Sequence, residues 1–202
     1  MGHSRREKVT RDKLARNERG WRRLLHSALL TGAMCVASTA TPAADRPEVW
    51  LAPSLERIPH DAPAGMTRSL TLHAARGECE SFQIAVKPTD VAAPAIDIAI
   101  GNLAGASARI PAARAITLFQ EHYVHVAKGS PDLRGSNRPL GPGWYADALM
   151  PLQSRPSAAG VVFDSSAGET AAGQTAPFWA DVCVPRDAGA GRYQSRLAVS
   201  LN

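Results

Sequence analysis

The residues best equipped for chemistry gather in two stretches. In GPGWYADALMPL (141–152), a Trp144-Tyr145 pair stands beside Asp147, and apolar Leu149 and Met150 follow, with glycine or proline on either side. Two aromatics and a carboxylate suit a sugar-stacking platform. They also suit an apolar plug between two domains, because each ring buries a large face and keeps a polar tip. In ITLFQEHYVHV (116–126), Glu121 is flanked by His122 and Tyr123, with His125 beyond. Glu121 and Asp147 are a candidate glycosidase pair, which needs carboxyl groups roughly 5 to 9 Å apart. The plainer reading is two solvated acids. His122 and His125 differ by an odd number of positions, so a strand sends them to opposite faces and they do not share one ion.

Other chemical signatures are missing from the sequence. It has no glycine-rich phosphate loop, no Cys-x-x-Cys and no Gly-x-Ser-x-Gly elbow. No catalytic, cofactor-binding or metal-ligating residue is assigned, and no cofactor is expected. Cys79 and Cys183 form an even pair once the leader is set aside. They are candidates for a disulfide, with two separate buried thiols as the alternative.

The elements that would carry these residues alternate with period two. Phe82, Ile84 and Val86 share one face of SFQIAVKP, and Ile96, Ile98 and Ile100 share one face of AIDIAIG. SLTLHA (69–74), PFWADVCVP (177–185) and GRYQSRLAVSLN (191–202) read as further strands. The run 116–126 changes its apolar phase midway and is expected to bend or bulge. Residues 127–145 form a Gly/Pro-rich excursion that carries Trp144 and Tyr145 on a loop. Residues 153–176 read as loop around a short Val161-Val162-Phe163 strand. No segment keeps a helix period for three turns. The predicted fold is all-β: an antiparallel two-sheet β-sandwich, immunoglobulin-like or jelly-roll-like.

Charge divides the chain. Residues 1–44 carry nine Lys/Arg and three Asp/Glu, whereas residues 45–202 carry fourteen and fifteen. The sandwich is therefore nearly neutral, which excludes a basic nucleic-acid face. WRRLLHSALLTGAMCVASTATPAA (21–44) has the charged, apolar and small-residue order of a signal peptide. Its apolar part is shorter than the roughly 20 residues of a membrane span, so no stable membrane anchor is expected. Met34 before Cys35 is not the small residue of a lipid-anchor site. The expected plan is a signal peptide and basic leader over 1–44 and a β-sandwich domain over 45–202. That plan implies export to a periplasmic or extracellular space.

Several stretches in order resemble a known family. They are VWLAPSLERI (49–58), ARGECESFQIAVKP (75–88), EHYVHV (121–126), GWYADALMPL (143–152), PFWADVCVP (177–185) and AGAGRYQSRLAVS (188–200). Together they are similar to the N-terminal β-sandwich domain of glycoside hydrolase family 123 and of proteins containing domain of unknown function 4091. The resemblance covers roughly residues 48–202, and Cys79 departs from the residue it leads one to expect there. It implies that the sandwich precedes a (β/α)8 barrel, which hydrolyses N-acetylgalactosaminides with an adjacent Asp-Glu pair and the substrate's acetamido group. This sequence contains no Asp-Glu dipeptide, so no catalytic residue is carried over.

The expectation is an exported module that is not catalytic alone. It would pack on a barrel domain or chain through Trp144, Tyr145, Asp147, Leu149 and Met150. The alternatives are a free-standing carbohydrate-binding module, an enzyme using Glu121 and Asp147, and a periplasmic interaction sandwich.

Overall fold

The computed structural model describes residues 46–89, 95–129, 140–165 and 173–202. The expected leader over 1–44 and the middle of the Gly/Pro-rich excursion lie outside the described residues. Among the described residues, twelve strands and one helical turn follow in order. They are β1 (Glu48–Pro53), β2 (Cys79–Lys87), β3 (Ile96–Gly101), β4 (Leu103–Gly105), β5 (Arg109–Ile110), α1 (Ala112–Ala115), β6 (Ile116–Val126), β7 (Gly143–Pro151), β8 (Gln153–Pro156), β9 (Gly160–Ser165), β10 (Ala176–Cys183), β11 (Tyr193–Gln194) and β12 (Leu197–Leu201). A five-stranded sheet runs β1-β2-β10-β6-β7, a four-stranded sheet runs β12-β3-β9-β8, and a small sheet runs β11-β4-β5. Neighbouring strands are antiparallel throughout. Among the described residues, no helix is long and apolar enough to cross a membrane.

The core lies between the two larger sheets. Ile84 and Val86 of β2, Leu118 of β6 and Phe178 of β10 come from one sheet. Ile96, Ile98 and Ile100 of β3 with Val161 and Phe163 of β9 come from the other. These are the alternating positions of their strands, and burying each such side chain contributes about 1.5–3 kcal/mol. Close packing reaches the backbone where β3 and β9 meet. Gly101 pairs with Gly160, and a Cβ on Gly160 would run into the Ile100 carbonyl and sit 2.8 Å from Gly101 Cα. We expect Gly160→Ala to destabilise the sandwich by about 1–3 kcal/mol, the usual penalty of overpacking. Urea unfolding of the two proteins side by side would measure it.

The structure corrects four sequence expectations. GWYADALMPL is no loop: residues 143–151 form β7 along β6. Pro151 is tolerated because β7 is an edge strand whose outer side needs no ladder bond. SLTLHA joins no sheet and runs largely exposed; alternation alone makes no strand when no neighbour offers its backbone. Residues 153–176 hold two strands, β8 and β9, rather than one short one. GRYQSRLAVSLN is divided into β11 and β12, which join different sheets. At the break, Gly101 N–H donates to the Arg196 carbonyl at 2.9 Å.

The outer face of the five-stranded sheet has a cover of its own. After β1 the chain crosses that face as a strap, residues 54–68. Trp50, Ala52 and Ala85 of the sheet form a second small core with Ile58 and Ala62 of the strap. Side chains and backbone tie the strap down. Gln83 Nε2 donates to the Pro53 and Glu56 carbonyls at 2.8 and 2.7 Å. Lys87 Nζ donates to the Ala62 carbonyl at 3.0 Å, and Leu51 N–H to the Thr67 carbonyl at 3.0 Å.

Candidate functional site

The two chemistry-bearing stretches become neighbours, because β6 and β7 pair antiparallel. The register sets His125 opposite Trp144, Tyr123 opposite Ala146, His122 opposite Ala148 and Glu121 opposite Leu149. It skips Asp147, which is the extra residue of a β-bulge. The shift falls beside the run 116–126 that was expected to bend or bulge, between His122 and Tyr123, but the extra residue belongs to β7.

Trp144 and Tyr145 do not form one platform. As consecutive strand residues they project to opposite faces. The Trp144 ring lies 4.9 Å from that of His125 and 5.7 Å from that of His60 on the strap. Tyr145 turns away, its hydroxyl donating to the Gly141 carbonyl at 2.9 Å. Asp147 is exposed in the bulge. Trp144, Leu149 and Met150 remain 50%, 43% and 55% exposed, so the stretch is not sealed inside its own sandwich.

The site extends onto the strap, whose His60 the sequence did not single out. Tyr123 donates its hydroxyl to the Ile58 carbonyl at 2.8 Å, and its ring meets His60 edge-on at 5.9 Å. The Thr175 N–H donates to the His60 carbonyl at 2.7 Å. Glu121 shares the Tyr123 face and is only 8% exposed. Its Oε1 and the Nδ1 of His60 are buried with no hydrogen-bond partner among the described residues. Burial raises the Glu121 carboxyl to about 7. The Tyr123 hydroxyl is pushed up as well, first by burial and then by the charges of Glu121 and Asp61. His60 lies in Pro59-His60-Asp61, whose local sequence signals no more than a turn.

Chemically, the site offers a half-exposed indole, two imidazoles and a carboxyl poised near neutrality. Asp147 and Glu121 lie on one strand pair but in opposite environments, one exposed and one buried. No group of three or more His, Cys, Asp or Glu among the described residues is arranged to hold a metal ion. At the far end of the sheet, Cys79 and Cys183 face each other across β2 and β10 and are joined by a disulfide. Trp179 Nε1 and Ser81 Oγ both donate to Asp181 Oδ1, at 2.8 and 2.6 Å, on the outer face beside it.

No family model matches the chain. No curated protein matches it. Thirteen chains of solved structures do. One is a family 123 glycoside hydrolase from Clostridium perfringens, studied for glycolipid glycan hydrolysis. Its identity to this chain is 12% and the TM-score is 0.42, over 64% of this chain and 19% of that one. A likeness this distant carries no residue role across.

Proposed function

We propose that the chain is an exported, non-catalytic β-sandwich module that docks onto the (β/α)8 barrel of a glycoside-hydrolase-like protein. The observation that carries this is the β7 edge: Trp144, Leu149 and Met150 are each about half exposed on a strand with no outer neighbour among the described residues. Pro151 and the Asp147 bulge already blunt the backbone edge of β7 against pairing with another strand, so the docking reading rests on its exposed apolar side chains. Half-exposed large apolar side chains grouped on one edge suit burial against another surface. The edge is also long. β7 leads through Leu152 into β8, so residues 143–156 border both large sheets. The Leu152 N–H donates to the Leu118 carbonyl at 3.0 Å at the crossing. The class of partner comes from the sequence motifs that resemble a family in which this kind of sandwich precedes a barrel. The disulfide agrees with an oxidising compartment.

The test begins with genomic DNA following and flanking the coding region. Any barrel found there is expressed and titrated against this chain by calorimetry. The expected result is saturable binding, weakened at least tenfold by Leu149→Asp while the fold is kept. Absence of any barrel frame, or binding indifferent to Leu149→Asp, sinks the proposal. Free-standing glycan binding is favoured by one observation, the open Trp144 ring beside His125. It requires sugar-dependent quenching of fluorescence that Trp144→Ala removes.

A further inference from the structure

The strap and Glu121 together form a device that the docking reading does not use. The strap is held over the outer face by bonds to its carbonyls: from Gln83, Lys87, Tyr123 and the Thr175 backbone. Thr175 Oγ1 adds a contact to the Ala62 carbonyl at 3.3 Å. On this face two buried polar atoms have no hydrogen-bond partner among the described residues, Oε1 of Glu121, two positions from Tyr123 on the sheet, and Nδ1 of His60 on the strap. An ionised carboxylate left in such a place costs far more than a neutral one, because burial penalises the charged form.

The charged and titratable groups around it do not neutralise it. On the strap stand His60 and Asp61, with His60 Nδ1 3.8 Å from Asp61 Oδ1. Lys87 of β2 has its ammonium on the Ala62 carbonyl. Tyr123 and His125 lie further along β6, β7 adds Asp147, exposed in its bulge, and His122 of β6 and Tyr145 of β7 project to the opposite face. On β10, Asp181 is taken up by Trp179 and Ser81. No ion pair to Glu121 is formed among the described residues.

We infer that the strap is a proton-gated lid on the Trp50 face of the sheet, shut while Glu121 is protonated and released locally when it ionises. Release uncovers Trp50 and Ala85 and withdraws the His60 ring from Trp144. The lid does not depend on what docks at β7.

Native-state hydrogen exchange tests it on the intact chain. The reporters are the Thr175 amide, bonded to His60, and the Leu51 amide, bonded to Thr67. Ile98 and Phe163 amides report the core. Correction for intrinsic exchange leaves the opening equilibrium. Between pH 5.5 and 8.5 the reporters' protection is expected to fall roughly 30-fold, the linkage value for a carboxyl that sits near 7 when covered and near 4.5 when free. At pH 8.5 they exchange at least tenfold faster than the core amides and ignore low urea. In Glu121→Gln the fall disappears. A second variant, Tyr123→Phe, loosens the reporters at both pH values and keeps the pH dependence. The lid is overturned if the reporters exchange only together with the core, or if Glu121→Gln keeps the full fall.

Discussion

Replacing Cys79 and Cys183 together by alanine lowers the stability of the sandwich by about 4 kcal/mol. The bond closes a sequence separation of 104 residues, and constraining an unfolded loop of that length is worth roughly 4–5 kcal/mol in the chain-entropy model. It also pins β2 to β10, the pair at the middle of the five-stranded sheet. Cys79 is exposed, so mild reductant should reach the bond and reproduce most of the loss. Urea unfolding with and without reductant checks this. A double variant within 1 kcal/mol of the parent would mean that the sheet holds its register without the bond.

The second large effect is a pH dependence of global stability that belongs to one residue. Glu121 is raised from 4.5 to about 7 in the folded chain. Between those values the folded state binds a proton that the unfolded state does not, so stability falls as pH rises from about 4.5 to about 7. Above 7 both states are ionised and the loss is complete. At 1.36 kcal/mol per pH unit, the total is about 3 kcal/mol. Glu121→Gln should flatten this part of the profile, whereas Asp147→Asn, changed at an exposed position, should leave it intact. Unfolding midpoints at pH 5, 6, 7 and 8 suffice. A parent profile that is flat or rises across this range contradicts the assignment.

How far the sequence revealed these features depended on how local their causes are. Ile96, Ile98 and Ile100 could be read at once, because one buried face of one strand writes its period directly. The sandwich followed from several such strands with turns between them. Glu121 was different. Its own neighbours say only that it sits on a strand face with Phe119 and Tyr123. Its burial depends on what covers that face, and the strap that crosses it at the neighbouring Tyr123, residues 54–68, lies more than fifty positions earlier. SLTLHA shows the reverse failure: its pattern is as good as that of a true strand, yet no neighbour pairs with it. GWYADALMPL misled through its proline and glycine, which mark an edge as readily as a loop. Within it, the separation of Trp144 from Tyr145 was decided once the stretch became extended, since period two divides any adjacent pair.

The disulfide also determines how the sandwich would bear a load. A pull applied at residues 46 and 202 passes from Cys79 directly to Cys183, and everything between them lies off the line of force. β3, β6, β7 and β9 could be neither peeled nor stretched until the bond was reduced. Only roughly 50 residues outside the loop could pay out, a reach of about 18 nm at full extension. Reduction would release a second, longer step. The chain is thus built as a short tether around a shielded block, and its extensibility is set by redox state rather than by sheet strength.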